Sequence, residues 1–230
     1  MLKPKKRFSR KEIKQDKLVT RFMQTETWVL DNQKTLMYAG VGLIALVLAI
    51  FVWTDRVETM EQEAATRLAS ILPLYDSGDM QQAVDGVPAR GTFGLRAIVN
   101  EYGSTESGNL AKLYLGNALL SQNKAEEALD FFEDVSGTTR MLDAAVYAAI
   151  GAANVSLGLH EDAARAYERS VSADPTNPLS PDRLLSAASS FAEAGMNDRA
   201  VDVLQTMKKQ YPQSAVARDV DRYMAEFAAL

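Results

Sequence analysis

No charged residue occurs between Lys34 and Asp55, and the run from Leu36 to Trp53, LMYAGVGLIALVLAIFVW, is almost wholly apolar. Twenty uncharged residues at a helical rise of ~1.5 Å each cover about 30 Å, the hydrocarbon thickness of a bilayer. In lipid a lone apolar segment satisfies its backbone only as a helix. Gly40 and Gly42 are tolerated there, and Tyr38 and Trp53 suit the two interfaces. A buried core helix of this length would keep a polar face, and none is present. A cleaved signal peptide would carry a shorter apolar region close to its start, whereas 34 residues precede Thr35. Residues 35–54 are therefore expected to be one retained transmembrane helix.

Charge divides around that run. Residues 1–34 hold ten of the 25 Lys/Arg and four of the 30 Asp/Glu, a net +6, which leaves −11 for the remainder. A short basic tail beside a membrane helix reads as cytoplasmic, so the acidic remainder is expected on the other side of the membrane. Ser9 and Glu12 fit a capping box. Ile13, Val19, Phe22, Met23 and Val29 follow as a loose apolar stripe among bases, suited to membrane lipid or a partner. Nucleic acid is a poor partner for a tail so short and interrupted by four acids. Cysteine is absent, which removes disulfides, thiol chemistry and an acylated-cysteine anchor.

Past Trp53, the positions Val57, Met60, Ala64, Leu68 and Ile71 recur every three or four residues before Pro73. They predict a membrane-proximal helix with one apolar face. That face is expected to pack on the next helix of its own domain, with docking of a partner's anchor helix as the alternative.

The rest of the chain repeats itself. Gly116, Gly151 and Ala188 are each followed twelve residues later by Ala128, Ala163 or Ala200, and four residues on by Phe132, Tyr167 or Leu204. Seven residues after each small residue stands Asn123, Gly158 or Gly195, types that accept the left-handed conformation of a tight turn. Pro175 and Pro212 fall eight residues beyond Tyr167 and Leu204. This is the grammar of stacked helix-turn-helix units. Small residues permit a close helix crossing, the large residue is expected to fill the gap to the next unit, and proline ends the second helix. A degenerate unit is expected over residues 55–108, around Gly78 and Ala83, its second helix cut short by Gly86 and Pro88. A short helix over residues 93–102 follows. Residues 109–213 hold the regular repeats. Residues 214–230, with Ala215, Val216, Val220, Tyr223, Met224 and Phe227 on one face, are expected to form a capping helix. The fold class is all-α: a single N-terminal transmembrane helix followed by a helix-turn-helix solenoid.

No catalytic constellation accompanies this plan. His160 is the only histidine and opens a second helix, so no cofactor or metal site is expected. Glu126–Glu127 and Glu161–Asp162 suit the positive ends of helix dipoles, which is a structural reason for them. What remains is the inner face lined by first helices. By register it carries Leu113, Asn117 and Leu120, then Ala148, Ala152 and Val155, then Leu185, Ser189 and Ala192. Small and apolar types prevail, which suits an apolar polypeptide segment.

The Gly/Ala–turn–Ala–large–Pro register over residues 109–212 resembles the tetratricopeptide repeat. Tyr147 keeps the large residue usual early in the first helix, while Lys112 and Leu184 depart from it. With the basic tail and single span, the chain also resembles the ancillary subunit of the bacterial Sec translocon. The segment FGLRAIVNEYGSTESGNLAKLYLGNALLSQNKAEEALDFFEDV looks like versions from the Bacteroidetes and Chlorobi group. That resemblance implies a non-enzymatic inner-membrane protein working at the translocon beside a membrane-anchored periplasmic chaperone and handing over exported chains. Two other classes stay open: a scaffold subunit or assembly factor of another inner-membrane complex, and a peptide-binding chaperone acting alone.

Overall fold

The computed structural model of this chain describes residues 23, 25, 28–136 and 139–228. The Ser9–Glu12 capping box and the positions Ile13, Val19 and Phe22 lie outside the described residues; Met23 and Val29 are both exposed. The chain separates into two units, residues 1–56 and residues 57–230.

In the first unit, helical hydrogen bonding is under way by Trp28, whose carbonyl accepts the Asn32 N–H at 3.0 Å. Helix α1 (Gln33–Asp76, 44 residues) is long and apolar enough to cross a membrane. Every residue from Leu36 to Trp53 on it is exposed. Pro73 does not end α1. It sits in the last turn, where losing one bond costs least, and the helix runs on to Asp76.

The second unit begins within α1 at Val57. It continues with α2 (Met80–Asp85), the strands β1 (Gly86–Val87) and β2 (Thr92–Phe93), and the helices α3 (Leu95–Tyr102), α4 (Glu106–Ser121) and α5 (Ala125–Glu133). After these come α6 (Arg140–Ser156), α7 (His160–Ala173), α8 (Ser180–Glu193), α9 (Asn197–Gln210) and α10 (Val220–Ala228). Helices α4/α5, α6/α7 and α8/α9 are the three regular helix pairs. All three turn residues singled out by spacing are left-handed: Asn123 at φ 60°, Gly158 and Gly195 at φ 73°. Gly78 shares that conformation at φ 81°. Helices α7 and α9 end at Ala173 and Gln210, two residues short of Pro175 and Pro212.

The large apolar residues share clusters with the next element, as expected: Phe132 with Val146, Ala149 and Ala153, Tyr167 beside Leu184 and Ala187, and Leu204 with Val220. Two of them also have a contact that spacing does not show. Phe132 covers the glycine of its own pair: a Cβ on Gly116 would stand 2.7 Å from two Phe132 ring carbons and closer still to a third. Tyr167 covers Gly151 in the same way, at 2.8 Å. The glycine is small because an aromatic ring occupies the place of its side chain. Lys112 departs from the usual large residue at its position yet is buried. Its Nζ donates to Asn109 Oδ1 at 3.3 Å and to the Asp134 carbonyl at 2.9 Å, and pairs with the Asp134 carboxylate at 2.8 Å. The lysine thus ties the start of α4 to the end of α5, and its charge is matched where burial would otherwise be costly.

The membrane-proximal stripe packs on its own domain, as expected, which rules against the alternative of a partner face for most of its positions. Ala64, Leu68 and Ile71 are buried in the same core cluster as Leu95, Ile98 and Leu115, Met60 is half-buried against it, and only Val57 is exposed. Three of the five positions offered as a partner face are therefore consumed by the domain's own core. Polar contacts fix the same helix: Arg67 lies 4.0 Å from the Phe93 ring centroid and pairs with Glu101 at 2.9 Å, and the Tyr102 hydroxyl donates to Glu63 at 2.9 Å. A departure from the expected elements is the β1–β2 ribbon, with Gly86 opposite Phe93 and Val87 opposite Thr92, in a region read as helix and loop. At the other end, the described part of the expected capping segment, residues 214–228, forms a 3-10 turn (Val216–Arg218) before α10 rather than one helix. Val220 and Phe227 are buried there in a cluster with Val203, Leu204 and Met207.

Candidate functional site

The first helices of the three pairs, α4, α6 and α8, each bury one side and leave the other open. On α4 the residues Leu115, Gly116, Ala118 and Leu119 are buried, while Leu113, Asn117 and Leu120 are half-buried. On α6 the same contrast sets Ala149, Gly151 and Ala153 against Ala148 and Ala152, both half-buried, and Val155, which is exposed. On α8 it sets Ala187, Ala188 and Phe191 against Leu185, Ser189 and Ala192. Leu113, Leu120, Leu185 and Ala192 have a second task, since each also packs on a core cluster. Thr105 and Thr139 fix the starts of α4 and α6 by accepting from Gly108 N–H at 3.0 Å and Leu142 N–H at 3.4 Å.

Of these nine positions, Leu113 enters a formed cleft. Leu113 joins Leu110 on α4 and Met141, Leu142 and Ala145 on α6 around a cavity of about 370 Å³. Glu61 of α1, Glu106, Ser107 and Thr139 complete its lining. Met141 is 69% exposed although wholly apolar, so a large side chain stands open at this place. The other eight positions do not line the cleft. Leu110 and Ala145 precede Leu113 and Ala148 by three residues, one helical turn, and an extended register count would have found them. Glu61 carries no such signal, because it arrives from a helix 46 residues away in sequence.

Glu61 is held firmly. Its carboxylate accepts the Ser107 N–H at 3.1 Å and the Ser107 hydroxyl at 2.5 Å, at the N-terminal end of α4. Burial pushes this carboxyl up, but the bonds from Ser107, from the Glu106 N–H and from Thr105 outweigh it and hold it below its ordinary value. Glu61 thus stays ionised at neutral pH. Among the described residues, neither Glu61 nor Glu106 forms an ion pair with a lysine or arginine.

Nothing in this site is arranged for bond chemistry. His160 is the half-buried first residue of α7, remote in sequence from every lining residue. Among the described residues, no three His, Cys, Asp or Glu side chains gather in a way that could hold a metal ion. The acid pairs Glu126–Glu127 and Glu161–Asp162 occupy the first turns of α5 and α7. What the cleft offers is an apolar recess with a carboxylate rim, which is a binding arrangement.

Residues 184–214, which span α8 and α9, match the tetratricopeptide repeat family. No curated protein matches the chain in sequence. Among solved structures it is similar to the nearly identical TPR-like repeats of a kinesin light chain candidate from Podosopora anserina. That likeness has 14% identity and a TM-score of 0.56, and covers 74% of this chain and 87% of that one. A singly substituted form of the same repeats gives 14% identity and a TM-score of 0.55, covering 74% and 86%. At this identity the likeness is one of fold. The protein is all-α with tetratricopeptide-type repeats, a fold that serves as a scaffold for protein partners.

Proposed function

We propose that this protein is a non-enzymatic, membrane-anchored interaction module, serving as an ancillary subunit of the bacterial Sec translocon. In this reading α1 crosses the inner membrane, the basic tail lies in the cytoplasm and the repeats lie in the periplasm. The inner face receives apolar segments of exported chains beside a membrane-anchored chaperone. The single observation that carries the reading is the open, apolar inner face of a repeat domain whose chain also holds a helix fit to cross a membrane. A chain still unfolded on leaving a translocon exposes the apolar segments that such a face accepts.

Orientation comes first. Protease added to spheroplasts is expected to digest residues 57–230 and to leave an N-terminal tag protected. Digestion of the tag with survival of the repeats would overturn both the orientation and the periplasmic role.

The binding face is tested by Ala152→Arg. Ala152 is half-buried on the open side of α6, so arginine there is expected to leave the melting temperature unchanged. An unpaired charge facing an apolar ligand costs several kcal/mol, and ~1.4 kcal/mol is already tenfold in affinity. Photo-crosslinking from Ala148 in intact membranes, read by mass spectrometry, is expected to yield translocon components and exported chains, and to fall at least ~tenfold in the variant. Crosslinks to one different stoichiometric complex would make the protein a scaffold of that complex instead.

A further inference from the structure

Among the described residues, the open register positions of the inner face carry no lysine or arginine. At its open register positions α4 presents Leu110, Leu113, Asn117, Leu120 and Ser121. Helix α6 presents Ala145, Ala148, Ala152, Val155 and Ser156, and α8 presents Asp182, Leu185, Ser189, Ala192 and Glu193. Charge at these positions is confined to acids, Asp182 and Glu193 on α8, and the cleft at the other end carries Glu61 and Glu106. Arg140 lies between the lining residues Thr139 and Met141, but it is not part of the lining, and its charge acts on Asp174. The Glu61 carboxylate is fixed by Ser107, so it cannot swing away from the cleft without breaking two hydrogen bonds. Glu106 is exposed in the first turn of α4. An apolar recess of about 370 Å³ has room for one large side chain, and the carboxylates beside it want a cation.

From this complementarity we infer that the Leu113–Met141 cleft takes a polypeptide segment in which a large apolar side chain stands next to lysine or arginine. The apolar group enters between Leu113 and Met141, and the cation meets Glu106 and Glu61 at the rim. The inference rests on the inner face being the working surface and adds the identity of the segment that it selects. An acidic neighbour is rejected by repulsion, so the site discriminates by charge as well as by apolarity.

The test uses the full chain in nanodiscs and labelled nine-residue peptides of identical length, read by fluorescence anisotropy. The peptides carry Phe-Lys, Phe-Glu or Ser-Lys at the centre of an uncharged sequence. Phe-Lys is expected to bind about threefold to tenfold tighter than Phe-Glu, the range of one or two partly exposed ion pairs, and Ser-Lys more weakly than Phe-Lys. In Glu106→Gln the charge preference shrinks, and in Glu106→Lys it inverts, both with an unchanged circular-dichroism melt. Equal binding of Phe-Lys and Phe-Glu overturns this inference and leaves the apolar inner face standing. Failure of every peptide to bind the folded wild-type chain overturns the inner face as the working surface, and this inference with it. A preference for Phe-Lys that survives unchanged in Glu106→Lys overturns the assignment to this cleft.

Discussion

Gly116→Ala is expected to lower the melting temperature by about 4–10 °C, the equivalent of ~2–3 kcal/mol of overpacking in a unit of this size. The added Cβ would lie 2.7 Å from two Phe132 ring carbons and nearer still to a third. Phe132 is fully buried, so the ring has no free space to move into. The same substitution at Gly151 meets Tyr167 at 2.8 Å. Tyr167 is half-buried and can tilt outward, so the loss there is expected to be smaller. Gly158→Ala separates sterics from backbone strain. Nothing lies within 4 Å of its Cβ, yet its φ of +73° costs an alanine about 1 kcal/mol. The decisive comparison is the double variant Gly116→Ala with Phe132→Leu. Each change alone destabilises, and together they are expected to cost less than their sum, because the leucine vacates the space that the Cβ needs. A strictly additive pair would mean that Phe132 does not cover Gly116.

That ring-on-glycine contact shows how far the sequence can be read. Spacing alone places Asn123, Gly158 and Gly195 at left-handed turns, because a turn between antiparallel helices demands a residue that tolerates positive φ, and few types do. Spacing also places a small and a large residue at fixed offsets and assigns the large one to the next unit, where it does pack, but misses its cover over the glycine of its own pair. A period of about 35 residues cannot distinguish contacts within a unit from contacts between units. The β1–β2 ribbon is not legible at all. Its strands are two residues long, too short to show alternation. It depends on Gly86 and Gly94 approaching so closely that a Cβ on Gly94 would collide with the Val84 carbonyl oxygen. Lys112 likewise reads only as a departure from the usual large residue until the Asp134 carbonyl and carboxylate are seen beside it. Of the candidate site, the open positions of α4, α6 and α8 follow from helical register. The cleft does not, because Glu61 reaches it through the packing of Ala64, Leu68 and Ile71, which sets where α1 lies against α4.

Deleting residues 214–230 is expected to have the other large effect. Val220 and Phe227 of α10 are buried against α9, and Tyr223 and Met224 pack beside them. Their removal uncovers the cluster that holds Val203, Leu204 and Met207, each now 5% exposed or less. Returning a large apolar side chain to water costs about 1.5–3 kcal/mol, so uncovering this cluster costs several kcal/mol. The exposed Lys208–Asp221 pair, 2.6 Å apart, adds little to that figure. Because partial truncation could misfold for trivial reasons, Phe227→Ala in the full chain is the finer probe, with an expected loss of about 3 kcal/mol. The pattern of melting carries more than its midpoint. The buried residues form two clusters, one from Ala64 to Ala153 and one from Ala164 to Phe227. Stacked repeats are stable through each unit and its nearest neighbours. If the α6/α7 pair couples the clusters strongly, Gly116→Ala and the loss of α10 will both move one common transition. If coupling is weak, the deletion will melt α8 and α9 first and leave the Gly116 region at its original temperature. Far-UV circular dichroism of the full chain and the variants, in the same detergent, distinguishes the two. A deletion that melts like the parent would remove α10 from the stack and turn its Tyr223–Phe227 face into a surface free for a partner.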